Sequence, residues 1–593
     1  MRRSGPIEPF RIPARDVRLL GYAPAVARRV ATLSAGRFAA KMFRGDPSPW
    51  TSDPAARRIV KNRLGWLRSP QEMLREVPRL EAFAASARGD GMRHAVLLGM
   101  GGSSLCVEVF RRVFPPPAGF PEIIVLDSTV PGAVRRVESD IDPARTLFVV
   151  SSKSGTTGET LALQSYFWEK MRRLRGDLAG RHFVAITDPG TPLSAEASAR
   201  AYRATFHNPP DIGGRYSALS YFGLLPAALG GADIAAILRS ALLMLDACGP
   251  AAAASDNPGL MLGAALGVLA RRGRDKVVLA VDPGLRPFGL WIEQLLAEST
   301  GKEGRGLVPV EAPASPADAR ATLLGPDRVA VVMTLGRKST AGPPAGRGGA
   351  RTPTVVLRLR DRFDLGAAMV QWEIATAVAG AVLGVNPFDE PNVAESKTNT
   401  AAALAEFDAT GGLREEEPAL AEGRARVFLG GIKLPSRGPA TLSAAVGSLL
   451  GRRRRGDYMA VLAFVDPGSR SPRAALETIR SLLLEATGCA VTLGYGPRYL
   501  HSTGQLHKGG PNRGLFIQIV PDDTMVLPIP GTPHDFETFK QAQGLGDYLS
   551  LKRRGRRIVR LCSPDDAAGA LRTLVAALRA ARAVSRRVRR TRT

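Results

Sequence analysis

The sequence predicts an α/β protein whose mostly parallel sheets are doubly wound, with helices on both faces. Short apolar runs of strand length recur from His94 onward, amphipathic patterns of helical length separate them, and the joints are rich in glycine and hydroxyl residues. At 593 residues the chain has room for two or three cores.

Taken in order, residues 1–90 read as a mainly helical segment, with apolar spacing in Val26–Ala40 and Pro70–Ser86. Four strands follow in 91–245, at His94–Gly99, Glu122–Asp127, Thr146–Ser151 and His182–Thr187. A second α/β unit, 255–407, has strands at Lys276–Val281, Arg328–Met333 and Thr354–Leu359, a helix at Phe288–Ala297 and a long apolar helix at Leu365–Leu383. Pro391 is placed at the first position of the next helix. Residues 408–456 carry an acidic patch, a basic run and several Gly and Pro positions, and read as an inserted helical segment or linker. A C-terminal α/β portion spans 457–578, with strands at Tyr458–Val465, Ala490–Gly494, Leu515–Val520 and Arg557–Leu561 and a final helix at Pro564–Ala580. The basic tail, 579–593, is expected to be unstructured.

Chemistry is expected beyond the carboxyl ends of the strands. Phe-Val-Val-Ser-Ser-Lys-Ser-Gly-Thr-Thr-Gly-Glu-Thr, 148–160, runs from a strand through a hydroxyl-rich turn into a helix. Free backbone N–H groups and the positive end of a helix dipole make such a turn an anion site. Ser152, Ser154, Thr157 and Thr160 add hydroxyls and Lys153 a charge, suiting one phosphate monoester; the alternative is an ordinary helix cap. It is not a P-loop, because the Gly-Lys-[Ser/Thr] spacing is absent. Gly-Met-Gly-Gly-Ser-Ser, 99–104, has Ser104 where a dinucleotide fingerprint needs its third glycine. Adjacent glycines allow close backbone approach while Ser103 offers a hydroxyl, so half of a phosphosugar pocket fits better than a nucleotide site. Arg215, set by Gly213 and Gly214, offers a fixed cation for an oxyanion or else a structural ion pair. Glu298 is a plausible general base, or an exposed carboxylate at a helix end. His501 and His507 stand in a polar loop rather than on an apolar face.

Bulk properties narrow the function class. Four scattered cysteines lack paired or metal-like spacing, and the six histidines show no ligand pattern, so reduced thiols and no metal are expected. No uninterrupted apolar run of membrane-spanning length and no secretory signal is read, which points to a cytoplasmic protein. The formal charge of +27 raises nucleic-acid or anionic-membrane binding. Much of the excess is local, in Arg452–Arg455, Lys552–Arg557 and Arg579–Arg592, but few aromatics interleave with these runs and arginine-for-lysine usage extends along the whole chain, so it is read as solvated surface and nucleic acid is not an expected partner.

Five motifs together resemble the glucose-6-phosphate isomerase (phosphoglucose isomerase) family: Gly-Met-Gly-Gly-Ser-Ser, Ser-Lys-Ser-Gly-Thr-Thr-Gly-Glu-Thr, Gly-Gly-Arg-Tyr-Ser, Gln-x-x-x-Glu-Ser-Thr-Gly-Lys and Asn-Pro-Phe-Asp-x-Pro-x-Val-x-x-x-Lys. They occur in the family's order over about residues 95–400. The C-terminal portion is most similar to the isomerase half of bifunctional transaldolase–phosphoglucose isomerases, without the transaldolase barrel. The resemblance implies two sugar-isomerase (SIS) domains at 91–245 and 255–407, a homodimer, a hexose 6-phosphate substrate and no cofactor. It implies that glucose 6-phosphate and fructose 6-phosphate interconvert through a cis-enediolate in glycolysis and gluconeogenesis. Mannose 6-phosphate isomerisation, or a phosphosugar-binding regulator without turnover, are the alternatives.

Carried over by motif, Ser103, Ser152, Ser154 and Thr157 hold the phosphate, with Ser104 and Lys153 beside them. Glu298 is the base, Arg215 the enediolate cation, and Gln294 and Lys397 contact substrate. Two positions depart from the pattern. Glu390 stands where the family generally has glutamine, and no histidine exists between His207 and His501. His507 is therefore the first choice for ring opening and His501 the second.

Overall fold

The computed structural model describes residues 10–313, 315–336 and 352–590, with side chains described as far as Ala581. The chain start on which the signal-peptide reading rested, and the tail beyond Arg590, lie outside the described residues.

Strand β1 (Val17–Arg18) is two residues long. The first sheet contains β2 (His94–Gly99), β3 (Glu122–Leu126), β4 (Thr146–Ser151), β5 (Phe183–Thr187) and β6 (Ala204–His207), in the order β3-β2-β4-β5-β6 and parallel throughout. Strands β7 (Lys276–Val281), β8 (Val308–Glu311), β9 (Arg328–Leu335) and β10 (Thr354–Leu359) form the second sheet, ordered β1-β10-β9-β7-β8 with only β1 antiparallel. The third contains β11 (Leu420–Glu422), β12 (Ala425–Gly430), β13 (Tyr458–Ala463), β14 (Ala490–Tyr495), β15 (Gly514–Pro521) and β16 (Arg557–Ser563), ordered β11-β12-β16-β15-β13-β14.

The central strands, among them β4, β5, β13 and β15, are buried on both faces, as parallel strands under helices must be. Alternate residues serve different cores, following the two-residue repeat of a strand. In β4, Leu147 and Val149 join the core shared with the second sheet, whereas Phe148 and Val150 join one beneath the helix Gly158–Arg175. In β13, Met459 and Val461 face the helices 470–487 and 567–590, while Tyr458, Ala460 and Leu462 face Val278 and Ala297 of the second unit. The third sheet is thus packed against the second rather than tethered to it.

Several elements differ from the sequence reading. The short strands β1, β6 and β8 escape it, because two to four residues carry too little periodicity. Residues 408–456 supply β11, β12 and the helix Leu442–Gly451 to the third sheet instead of a free linker. Pro391 precedes its helix, which begins at Val393. The last helix runs on to Arg590, through most of the tail expected to be unstructured. The helix within Arg362–Leu383 does meet the length and composition of a membrane span, but it is buried in the protein against the helices 234–248 and 258–271.

Candidate active site

The phosphate-type turns lie side by side because β2 and β4 are neighbours in register, with Gly99 opposite Ser151. Ser152 Oγ lies 3.0 Å from Thr157 Oγ1, and Thr157 caps the helix Gly158–Arg175 without a side-chain cap bond. Ser154 is exposed and bonded to Thr156 at 2.9 Å. Ser103 is buried at the mouth of the first turn, and its carbonyl accepts a bond from Ser151 Oγ at 3.3 Å. Gly101 has φ +56° and sits against Gln294 and His501. A Cβ on Gly102 would lie 2.1 Å from the Gly214 carbonyl oxygen, so this glycine lets the turn touch the segment that carries Arg215.

Of the other predicted phosphate-side residues, Lys153 and Ser104 are engaged within the protein. The Lys153 ammonium pairs with Asp188 and donates to the Pro210 carbonyl at 3.0 Å, away from the hydroxyl cluster. Ser104 Oγ donates to Asp127 at 3.2 Å and to the Gly101 carbonyl at 3.2 Å. Thr160 is fully buried in the first turn of its helix. Lys153 and Ser104 thus brace the turns, the Thr160 hydroxyl stays buried without a partner among the described residues, and Ser103, Ser152, Ser154 and Thr157 remain at the mouth.

Arg215 is the hub of the second half. Its Nε donates to Ser299 at 2.8 Å, and Nη2 donates to the carbonyls of Pro387 and Asp389 at 2.8 and 2.9 Å. Its Nη1 serves two carboxylates: Glu390 Oε2 at 2.8 Å and Glu298 Oε1 at 3.3 Å. Burial alone would discourage the guanidinium charge, but the Glu298 and Glu390 charges outweigh it and hold Arg215 ionised. Glu298 is 9% exposed at the end of the helix Phe288–Thr300. Gln294, one turn earlier on the same face, donates from Nε2 to Glu298 Oε2 at 3.0 Å and to the His501 carbonyl at 2.9 Å.

One cation divides the two acids. Burial raises Glu298 above the ordinary carboxyl range; Arg215 opposes this and the Glu390 charge adds to it. Burial would raise Glu390 as well, but there the Arg215 charge and hydrogen bond win and hold it low. Carboxylates pushed apart in this way can take different roles, the raised one exchanging a proton and the lowered one staying ionised. Lys302, lowered to about 8 by burial and the nearby Arg215 charge, locks the 386–389 turn through the carbonyls of Asn386 at 2.8 Å and Asp389 at 2.5 Å.

The third sheet closes the site. The loop after β14 carries Arg498, which forms a bidentate pair with Asp127 at 2.8 and 2.6 Å beyond the end of β3. It also carries His501, whose Nε2 lies 2.7 Å from Glu159 Oε1. Burial opposes the Glu159 charge, yet the His501 charge and hydrogen bond bring this carboxyl down to about 2, with Lys397 contributing. Gln543 donates to the same oxygen at 2.8 Å. Lys397 is exposed on the helix Val393–Thr410, near this group but without a hydrogen bond to it.

His507 is elsewhere. It is buried in the helix Gly504–Gly509 between Tyr458, Tyr499 and Phe516, with Nδ1 2.9 Å from the Tyr458 hydroxyl. Burial, aided by the charges of Lys508 and Arg556, holds its imidazole well below its ordinary value and therefore neutral. The first-choice histidine is thus a core residue, and the second choice, His501, meets Gln294 and Glu159. Sequence reasoning also missed Glu159, Asp127, Arg498 and Lys302 as members of the site. Glu159 sat inside a quoted motif and could have been taken from it; Arg498 gave no signal beyond its place in the His501 loop.

This fold and these turns define a class: doubly wound α/β proteins with a hydroxyl-lined anion turn facing a buried carboxylate–guanidinium centre. Residues 79–308 match the family model for phosphoglucose isomerase. The chain is 30% identical over 393 residues to glucose-6-phosphate isomerase of Rubrobacter xylanophilus, spanning 58% of this chain and 90% of that protein. It is 31% identical over 402 residues to the Symbiobacterium thermophilum enzyme of the same name, spanning 57% and 86%. A hypothetical protein from Thermus thermophilus shares the fold with a TM-score of 0.55 at 27% identity, over 65% of this chain and 97% of that one. The chain belongs to the glucose-6-phosphate isomerase family.

Proposed function

We propose that the protein interconverts glucose 6-phosphate and fructose 6-phosphate as an aldose–ketose isomerase. The observation that carries this reading is Glu298, buried beside Arg215 and linked through Gln294 to the turn at Gly101. Ser103, Ser152, Ser154 and Thr157 grip the phosphate, and that remote binding energy orients C1 and C2. His501, held by Glu159, gives a proton to the ring oxygen and takes the proton of the C1 hydroxyl, so that the C1–O5 bond breaks as the C1 carbonyl forms, with Lys397 near the ring oxygen. Glu298 then takes the proton from C2 and returns it to C1, while Arg215 stabilises the enediolate charge. The raised Glu298 suits a group that must both accept and release a proton.

The test is a coupled assay with each hexose 6-phosphate on the wild type and Glu298→Gln. The expected result is interconversion that falls by about 10²- to 10⁴-fold in the variant. Turnover surviving Glu298→Gln would remove this base, and turnover of mannose 6-phosphate alone would change the substrate. The same proposal takes 91–245 and 255–407 as the two sugar-isomerase units, a homodimer as the working form and the cytoplasm as its location. Sedimentation equilibrium checks the dimer.

A further inference from the structure

Away from the candidate active site, three concave clefts lie edge to edge on one face of the molecule. The largest, about 900 Å³, sits on the seam between the second and third sheets, between Arg272–Arg274 and Arg453–Arg455. It shares Arg513 with a cleft of about 410 Å³ and Arg272 with one of about 600 Å³. These two neighbours share Arg29 and Arg271, so the three form one continuous trough. None of the candidate active-site residues lines it.

The charge in the trough is one-sided. Eleven arginines line it against three aspartates, Asp275, Asp327 and Asp457. Those aspartates are already engaged by buried cations: Asp275 and Asp327 by Lys276, Asp327 also by Arg328, and Asp457 by Arg557. Arg272, Arg454 and Arg455 are exposed on the two sides of the seam, and among the described ion pairs none includes them. Repulsion among such like charges is relieved by an anion, and a concave wall of one sign concentrates anions from solution.

The shape and lining choose among anions. A trough running through three clefts suits a chain of phosphates rather than one monoester. Tyr22 is the only aromatic among the residues lining it, and its ring is covered by the Arg274 guanidinium at 5.3 Å. A face that binds single-stranded nucleic acid needs open aromatic rings on which bases stack, and this face offers none.

We propose that the trough is a binding site for an unbranched polyanion recognised through its phosphates alone, of the class of linear inorganic polyphosphate. The site is independent of the isomerase reading. By bridging Arg272–Arg274 and Arg453–Arg455 the chain would also clamp the seam, where Arg328 Nη2 already donates to the Gly488 carbonyl at 2.9 Å.

The test is titration of the full chain with fluorescently labelled inorganic polyphosphate across a salt series. Comparators are the triple reversal R453E/R454E/R455E, R28E/R29E in the adjoining cleft, and a matched reversal outside the trough, R57E/R58E/K61E. The expected result is salt-sensitive binding that weakens about tenfold or more in the two trough variants. It should weaken clearly less in the outside variant, with hexose-phosphate turnover unchanged in all of them. Equal weakening in all three would reduce the effect to net charge and overturn the site. Single-stranded RNA bound as tightly as polyphosphate would overturn the choice of ligand.

Discussion

Replacing Glu390 by Gln tests the division of labour around Arg215. One nitrogen, Nη1, lies 3.3 Å from a Glu298 oxygen and 2.8 Å from a Glu390 oxygen, so these two oxygens are at most about 6 Å apart. At an effective dielectric near 20, charges at that separation repel by about 3 kcal/mol. The Glu390 side chain is 43% exposed, and solvent screening leaves at most about 1 kcal/mol of this repulsion, which is less than one pH unit. The sign follows from the role. Glu298 must be ionised to accept a proton, so activity falls as pH drops through its pKa, which burial and the Glu390 charge both raise. Glu390→Gln removes one of these causes and leaves Arg215 more fully to Glu298. The acid limb of kcat should therefore move down, by less than about one pH unit, read in the coupled assay from neutral pH into the acid range. An acid limb that stays in place, or moves up, would refute the idea that Glu390 tunes the base through their shared guanidinium.

Three further substitutions probe how the site is assembled. His501→Asn should lower turnover of the ring-closed sugar by about 10²-fold or more, whereas His507→Asn should chiefly lower thermal stability. His507 bonds only within the core, and leaving the Tyr458 hydroxyl unpaired costs about 1–3 kcal/mol; a pair of melting curves and assays that reversed this pattern would exchange the two histidines. Gly102→Ala places a Cβ 2.1 Å from the Gly214 carbonyl oxygen, so the turn must shift. The expected outcome is a rise in KM for the phosphosugar with a smaller change in melting temperature, and unchanged kinetics would mean that the two turns need not touch.

The sequence by itself determined the βα alternation, the hydroxyl-rich turns at the ends of β2 and β4, and the choice of Glu298 and Arg215 as candidates for base and cation. Those features are local: a strand period, a helix start and a short motif each fit within some fifteen consecutive residues, and the chemistry of Ser, Thr, Glu and Arg is legible in such a window. Tertiary structure separated the two histidines, because His501 and His507 share one polar loop and differ in the direction each faces once the third sheet docks. One meets Glu159, 342 positions away in the chain, and the other enters an aromatic core. Tertiary structure also turned Lys153 toward Asp188, gave Arg215 two carboxylates instead of one, and gathered arginines from six separate segments into a single trough. Burial and charge–charge distance belong to the packed chain, and no local pattern encodes them.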